Sequence, residues 1–176
     1  MPSLNPPSDP HAALLRLLAA SGIGSLIGLN RWLKHKPAGL RTHALVSLGA
    51  ALLTLVGVGI APPDPNAASA NLSRVIQGII TGIGFLGAGV ILRPHTSERV
   101  HGLTTAASLW LAAALGVGCA VGEWTLTLAA AALTLLVLLL GGPLERLTQR
   151  ALGARGGKPK GEAPVAGGER AEAPHN

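Results

Sequence analysis

The chain has 176 residues, 48% hydrophobic and only 12% charged, with mean hydropathy +0.45. Soluble domains carry about 25% charged residues and fill their cores with more aromatic side chains than the one Phe, three Trp and no Tyr found here. A formal charge of +6 would suggest nucleic acid in a soluble chain, but these cations fall between and after apolar stretches, where they act as orientation signals; the composition excludes an ordinary soluble enzyme and predicts an integral membrane protein.

Residues 1–11 are Pro-rich and polar and read as a disordered lead-in. No basic n-region precedes the first apolar stretch, and Arg16 lies inside it, so a cleaved signal peptide is not expected. At about 20 residues per crossing, five spans are predicted over 12–30, 42–61, 74–92, 102–121 and 124–142, which together form a transmembrane helical domain over 12–142. The link 31–41, RWLKHKPAGLR, holds four cations and no carboxylate, whereas 62–73 holds one Asp and no cation. The link 93–101 has two Arg and one Glu. Residues 143–176 turn to Gly, Pro, Ala, Lys and Glu without an apolar period, and read as a disordered basic cytoplasmic tail.

With the basic links and tail inside, an odd number of spans runs N-out to C-in. Arg16 and Arg74 are then left near the outer ends of spans one and three, and are read as snorkelling to the interface. Trp32 and Trp124 sit at span ends as interfacial anchors should, while Trp110 lies within span four. Cys119 is the only cysteine, which rules out an internal disulfide framework and a cysteine metal site.

An internal repeat organises the spans. GIGSLIG (22–28) and GIGFLGA (82–88) match at four of seven positions, and GLRTHALVSLGAAL (39–52) and GLTTAASLWLAAAL (102–115) at eight of fourteen. The fold expected is therefore an all-α membrane protein of two parallel-repeat helical hairpins plus a fifth helix. After each basic link a Thr starts the next helix (Thr42; Thr104 and Thr105), where its hydroxyl can cap free backbone N–H groups.

Gly24 and Gly28 are four apart, as are Gly78 and Gly82, and Gly84 and Ala88; with Gly87 and Gly89 they are predicted to let helix backbones pack closely in lipid. An unwound backbone site in 82–89 is the sharper alternative. Arg41, beside Thr42 and His43, is a candidate for a functional or inter-helix role. No span carries an Asp or Glu at mid-depth, so a magnesium site lacks its usual carboxylates. Only backbone carbonyls, Asn30, Gln77 or rings formed by an oligomer could substitute. His35, His43, His95 and His101 are read as solvated or interfacial rather than as a shared metal site. No Ser/His/Asp arrangement, zinc-protease motif or phosphate loop occurs, and neither a catalytic role nor a cofactor or metal is expected.

Gly28–Arg31, KPAGLRTHALVSLGAAL (36–52), RVIQGIITGIGFLGAGVIL (74–92) and HGLTTAASLW (101–110) resemble the MgtC/SapB family of bacterial inner-membrane proteins, over about residues 12–125. The resemblance implies a multi-pass protein of the cytoplasmic membrane linked to magnesium limitation, acid stress or intracellular survival. It carries functional positions onto Arg31, Arg41, Thr42, the 82–89 stretch, Thr104 and Thr105. Members often read Gly-Leu-Glu-Arg where this chain has Gly28-Leu29-Asn30-Arg31, so a role needing a Glu–Arg pair there is in doubt. Some members also end in a folded cytoplasmic ligand-binding-type domain, where this chain has the Gly/Pro-rich tail. The best-described member is implied to regulate the membrane ATP synthase. The preferred reading is accordingly a regulator of another membrane complex, present as a homo-oligomer or bound to that complex, with no nucleic acid partner. The alternative is a transporter or channel subunit for magnesium or another small ion.

Overall fold

The computed structural model describes residues 9–61, 64–91 and 102–153, which form five helices and no strand. They are α1 (Pro10–Leu33), α2 (Leu40–Gly59), α3 (Pro65–Ile91), α4 (Leu103–Val121) and α5 (Trp124–Gly153). All five have the length and apolarity to cross a bilayer. Their outer faces carry Leu53, Phe85, Leu126 and Leu133, all more than half exposed, as lipid-facing residues should be.

Local chemistry sets the helix ends. The Asp9 side chain accepts a hydrogen bond from the His11 N–H at 2.9 Å, and Pro10 occupies the first turn. At the other end of α1 the Lys36 N–H bonds the Arg31 carbonyl at 3.1 Å and the His35 N–H bonds that of Trp32 at 2.9 Å. This is a Schellman closure, with His35 in the left-handed position at φ 51°. The chain then turns within a few residues into α2. Both hairpins restart at a glycine in the same repeat position: Gly39 caps α2 and Gly102, at φ 92°, caps α4.

Three boundaries differ from the sequence reading. α1 starts at Pro10, which takes residues 10 and 11 out of the predicted disordered lead-in. α3 starts at Pro65 rather than at 74, because Asp64 accepts from the Asn66 N–H at 3.1 Å and the Ala-rich stretch that follows propagates the helix. α5 continues past 142 through Pro143 to Gly153, where the expected tail begins with good helix formers, LERLTQRA. Pro143–Gly153 belongs to a separate compact unit, internally bonded by Thr148 Oγ1 donating to the Leu144 carbonyl at 3.1 Å. The rest of the predicted disordered ends, 1–8 and 154–176, lies outside the described residues.

The core of the bundle sits where α1, α2 and α4 meet. Ala20, Ala51, Cys119 and Ala120 are fully or almost fully buried there. Ala131 joins Ile27 and Leu115 and seats α5 on α1 and α4. Ile83 packs with Ala50 and Ala113, which seats α3 on α2 and α4. Small residues dominate because packing distance, rather than water expulsion, drives helix association in lipid. A Cβ at Gly24 would lie 2.5 Å from the His43 carbonyl oxygen, and one at Gly28 would lie 2.6 Å from the Leu40 Cα. At Gly116 it would collide with the Ser47 backbone.

Candidate functional site

The core-facing stripe of α1 runs Ala20, Gly24, Ile27, Gly28 and Arg31, a helical period that brings a guanidinium into the bundle in the helix's last turn. The matching stripe of α2 is His43, Ser47, Ala50, Ala51, Thr54 and Gly57, and α4 contributes Thr105 and Ser108 from its first two turns. Close approach at Gly24 and Gly28 presses these stripes together. The result is a buried polar cluster in which Arg31 is 4% exposed and His43, Ser47, Thr105 and Ser108 no more than 2%.

Hydrogen bonds join its members across three helices. Arg31 Nη2 donates to Thr105 Oγ1 at 2.6 Å, tying the end of α1 to the start of α4. His43 Nδ1 lies 2.9 Å from the Gly39 carbonyl oxygen, and its Nε2 lies 3.0 Å from Ser108 Oγ. The Ser108 hydroxyl in turn donates to the Thr105 carbonyl at 2.8 Å. This chain has three contacts and ends on a carbonyl acceptor at each side. A neutral imidazole protonated on Nδ1 satisfies the Gly39 carbonyl, and the single Ser108 hydroxyl proton is then shared between His43 Nε2 and the Thr105 carbonyl. Arg31 Nε, Ser47 Oγ and Asn30 Oδ1 are buried without a partner.

A guanidinium inside a bundle is costly unless it is hydrogen-bonded. Thr105 meets that need with a hydroxyl; Asp9, Asp64 and Glu123 lie at or beyond helix ends. Among the described residues no group of three or more His, Cys, Asp or Glu could hold a metal ion. The polar groups deeper in the helices bond their own backbone: Thr54 to the Ala50 carbonyl at 2.8 Å and Thr134 to that of Ala130 at 2.7 Å. The arrangement fixes charge and crossing geometry.

The residues singled out from sequence divide accordingly. Arg31 and Thr105 belong to the cluster, with Asn30 half-buried at its edge. Arg41 and Thr42 are exposed and line a separate cleft at the start of α2; Thr104 is exposed too. Gln77 is exposed on α3, its Nε2 donating to Ser73 Oγ at 3.4 Å. Gly24 and Gly28 are close-packed, and a Cβ on Gly87 would make ordinary contact with Ala106 at 3.5 Å. Gly78, Gly82, Gly84 and Gly89 have nothing within 4 Å of where a Cβ would stand, so among the described residues they pack against no other helix. α3 is helical without a break over 82–89, which removes the unwound-site alternative.

Two further expectations are corrected. Thr42 and Thr105 do not cap their helices: both lie inside the first turn, behind glycine caps, and Thr105 turns to Arg31 instead. Arg16 donates from Nη1 to the Ala120 carbonyl at 2.7 Å, where a cation suits the C-terminus of α4. His43 is wholly buried rather than solvated, because its register on α2 points it at Ser108; His95 and His101 lie outside the described residues. His43, Ser47 and Ser108 were missed as a set. Their signal was present in the 43, 47, 50, 54 period of α2, which places polar residues on the stripe that also carries the buried alanines.

Comparison with known proteins bears on the whole bundle. Residues 17–147 match the MgtC family. SrpB of Synechococcus elongatus is 45% identical over 139 residues, covering 76% of each chain. MgtC of Salmonella typhimurium is 42% identical over 146 residues, 82% of this chain and 59% of its own length. SapB of Bacillus subtilis is 41% identical over 111 residues, 62% of this chain and 47% of its own. The chain thus spans three quarters of the cyanobacterial relative but under two thirds of the other two. No solved structure matches.

Proposed function

Because the chain belongs to the MgtC family of membrane proteins, we propose that it regulates another protein complex of the bacterial cytoplasmic membrane, in the service of magnesium homeostasis, by docking that complex on α3. The observation that carries this reading is the outer face of α3. Gly78, Gly82, Gly84 and Gly89 stand open there beside Phe85, which is 81% exposed. Open glycines on a membrane helix let a second helix come into backbone contact. The buried polar groups support regulation over transport, since Arg31, His43 and Ser108 bond inward to Thr105 and helix carbonyls. The basic 31–41 link faces the cytoplasm in this reading, with the N-terminus outside.

The test is Gly82→Leu. With open space around Gly82 the variant should insert and melt as the parent does, yet fail to restore growth on limiting magnesium to cells lacking the protein. The parent protein, reconstituted in sealed liposomes, should give no saturable magnesium flux. Saturable flux that Gly82→Leu leaves intact would replace the regulator with a transporter.

A further inference from the structure

The cleft at the start of α2 belongs neither to the buried cluster nor to α3. It measures about 490 Å³ and is lined by Leu29, Trp32, Gly39, Leu40, Arg41 and Thr42. Its apolar walls come from the last turns of α1 and the first residue of α2, on either side of the short link between the two helices. Its polar side is the Arg41 guanidinium and the Thr42 hydroxyl. A cleft that pairs apolar walls with a cation and a hydroxyl has the mixed polarity of one phospholipid, acyl chain on one side and headgroup on the other.

Charge decides which phospholipid. Residues 31–41 carry Arg31, Lys34, Lys36 and Arg41 and no carboxylate. Two of these cations are already engaged within the bundle, Arg31 by Thr105 and Lys34 by the Leu138 carbonyl. Lys36 and Arg41 are exposed, and Arg41 has no hydrogen-bonding or ionic partner among the described residues. An unpartnered cation on the wall of a half-apolar cleft, with a second exposed cation, Lys36, on the same link, complements a lipid phosphate that bears net negative charge, and gains nothing from a zwitterionic headgroup whose own ammonium competes for it.

We propose that this cleft is a binding site for one anionic phospholipid, its phosphate held by Arg41 and Thr42 with Lys36 beside them, and its upper acyl chain lying along Leu29, Trp32 and Leu40.

Trp32 reports on the site directly. In the full chain with Trp110→Phe and Trp124→Phe, Trp32 is the only fluorophore of its kind, and phosphatidylglycerol or phosphatidylcholine with brominated acyl chains quenches it on contact. In vesicles of mixed composition, phosphatidylglycerol should displace phosphatidylcholine from Trp32 with a several-fold preference. Each cation removed, in Arg41→Gln or Lys36→Gln, should cut that preference about fivefold at low salt, and high salt should weaken it in the parent. Equal quenching by the two lipids overturns the proposal. So does a preference that survives Arg41→Gln and Lys36→Gln together. Displacement of the brominated phosphatidylglycerol by millimolar glycerol phosphate overturns it as well, since the site would then be one for a soluble phosphate. Both lysine and arginine variants are on exposed positions, so retention of the parent's helical content separates lost lipid binding from lost folding.

Discussion

Replacing Gly28 with Ala tests whether the α1–α2 contact governs the buried site. The added methyl would lie 2.6 Å from the Leu40 Cα, 2.7 Å from the Gly39 carbonyl oxygen and 2.9 Å from the Leu40 nitrogen. All three are backbone atoms, so no side chain can rotate out of the way. Carbon atoms settle about 3.5–4.0 Å apart, and α1 must retreat from α2 by about 1 Å. Overpacking of this kind costs about 1–3 kcal/mol. The retreat also acts on Arg31, three residues along the same stripe, whose bond to Thr105 is only 2.6 Å long. Losing a bond from a charged donor adds about 1.5–3 kcal/mol, for an expected total of about 2.5–6 kcal/mol. Gly82→Ala is the control: the same change meets nothing within 4 Å and should fall within about 0.5 kcal/mol of the parent. Reversible unfolding in mixed micelles of mild detergent and dodecyl sulfate, followed by circular dichroism, measures both. A Gly28→Ala protein as stable as the parent, or a Gly82→Ala protein as damaged, would refute the reasoning.

Thr105→Val keeps the volume and removes the hydroxyl that accepts from Arg31; it should cost about 2 kcal/mol in the same unfolding experiment. Adding Arg31→Met should recover part of that cost, because the unpaired buried charge leaves with the arginine. If the two changes add independently, Arg31 and Thr105 do not interact. His35 occupies a left-handed backbone position at φ 51°, which suits glycine, so His35→Gly should raise stability by about 1 kcal/mol, read as a higher midpoint. A lower midpoint would show that the His35 side chain supports the turn.

Composition and charge placement were enough to read five spans and their links, because a bilayer imposes one length and one polarity on every crossing. The repeat was legible too, and its register appears in the structure as the two glycine caps Gly39 and Gly102. The buried cluster was only half legible. Thr105 entered through the repeat, as an expected helix cap, and Arg31 through a family resemblance, while Arg41 drew attention away from His43, its neighbour two positions along. A helical period shows which residues of one helix share a face. It does not show which face of another helix they meet, and the link between His43 and Ser108 spans 65 residues of chain.

The repeated glycines show the same limit and also what duplication achieved. GIGSLIG in α1 and GIGFLGA in α3 promise equally close packing, yet Gly24 is pressed against α2 while a Cβ on its counterpart Gly84 would meet nothing within 4 Å among the described residues. The difference lies in position. α1 is held by both α2 and α4 through Ala20, Ala51, Cys119 and Ala120, and by α5 through Ile27 and Ala131. α3 meets α2 and α4 through Asn71, Val75, Ile79, Ile83 and Gly87, whereas a Cβ on Gly78, Gly82, Gly84 or Gly89 would have nothing within 4 Å among the described residues. One copy of the motif therefore closes the fold around Arg31. The other leaves open a surface of the chemistry that closed the first, which is why a second helix is the occupant it suits.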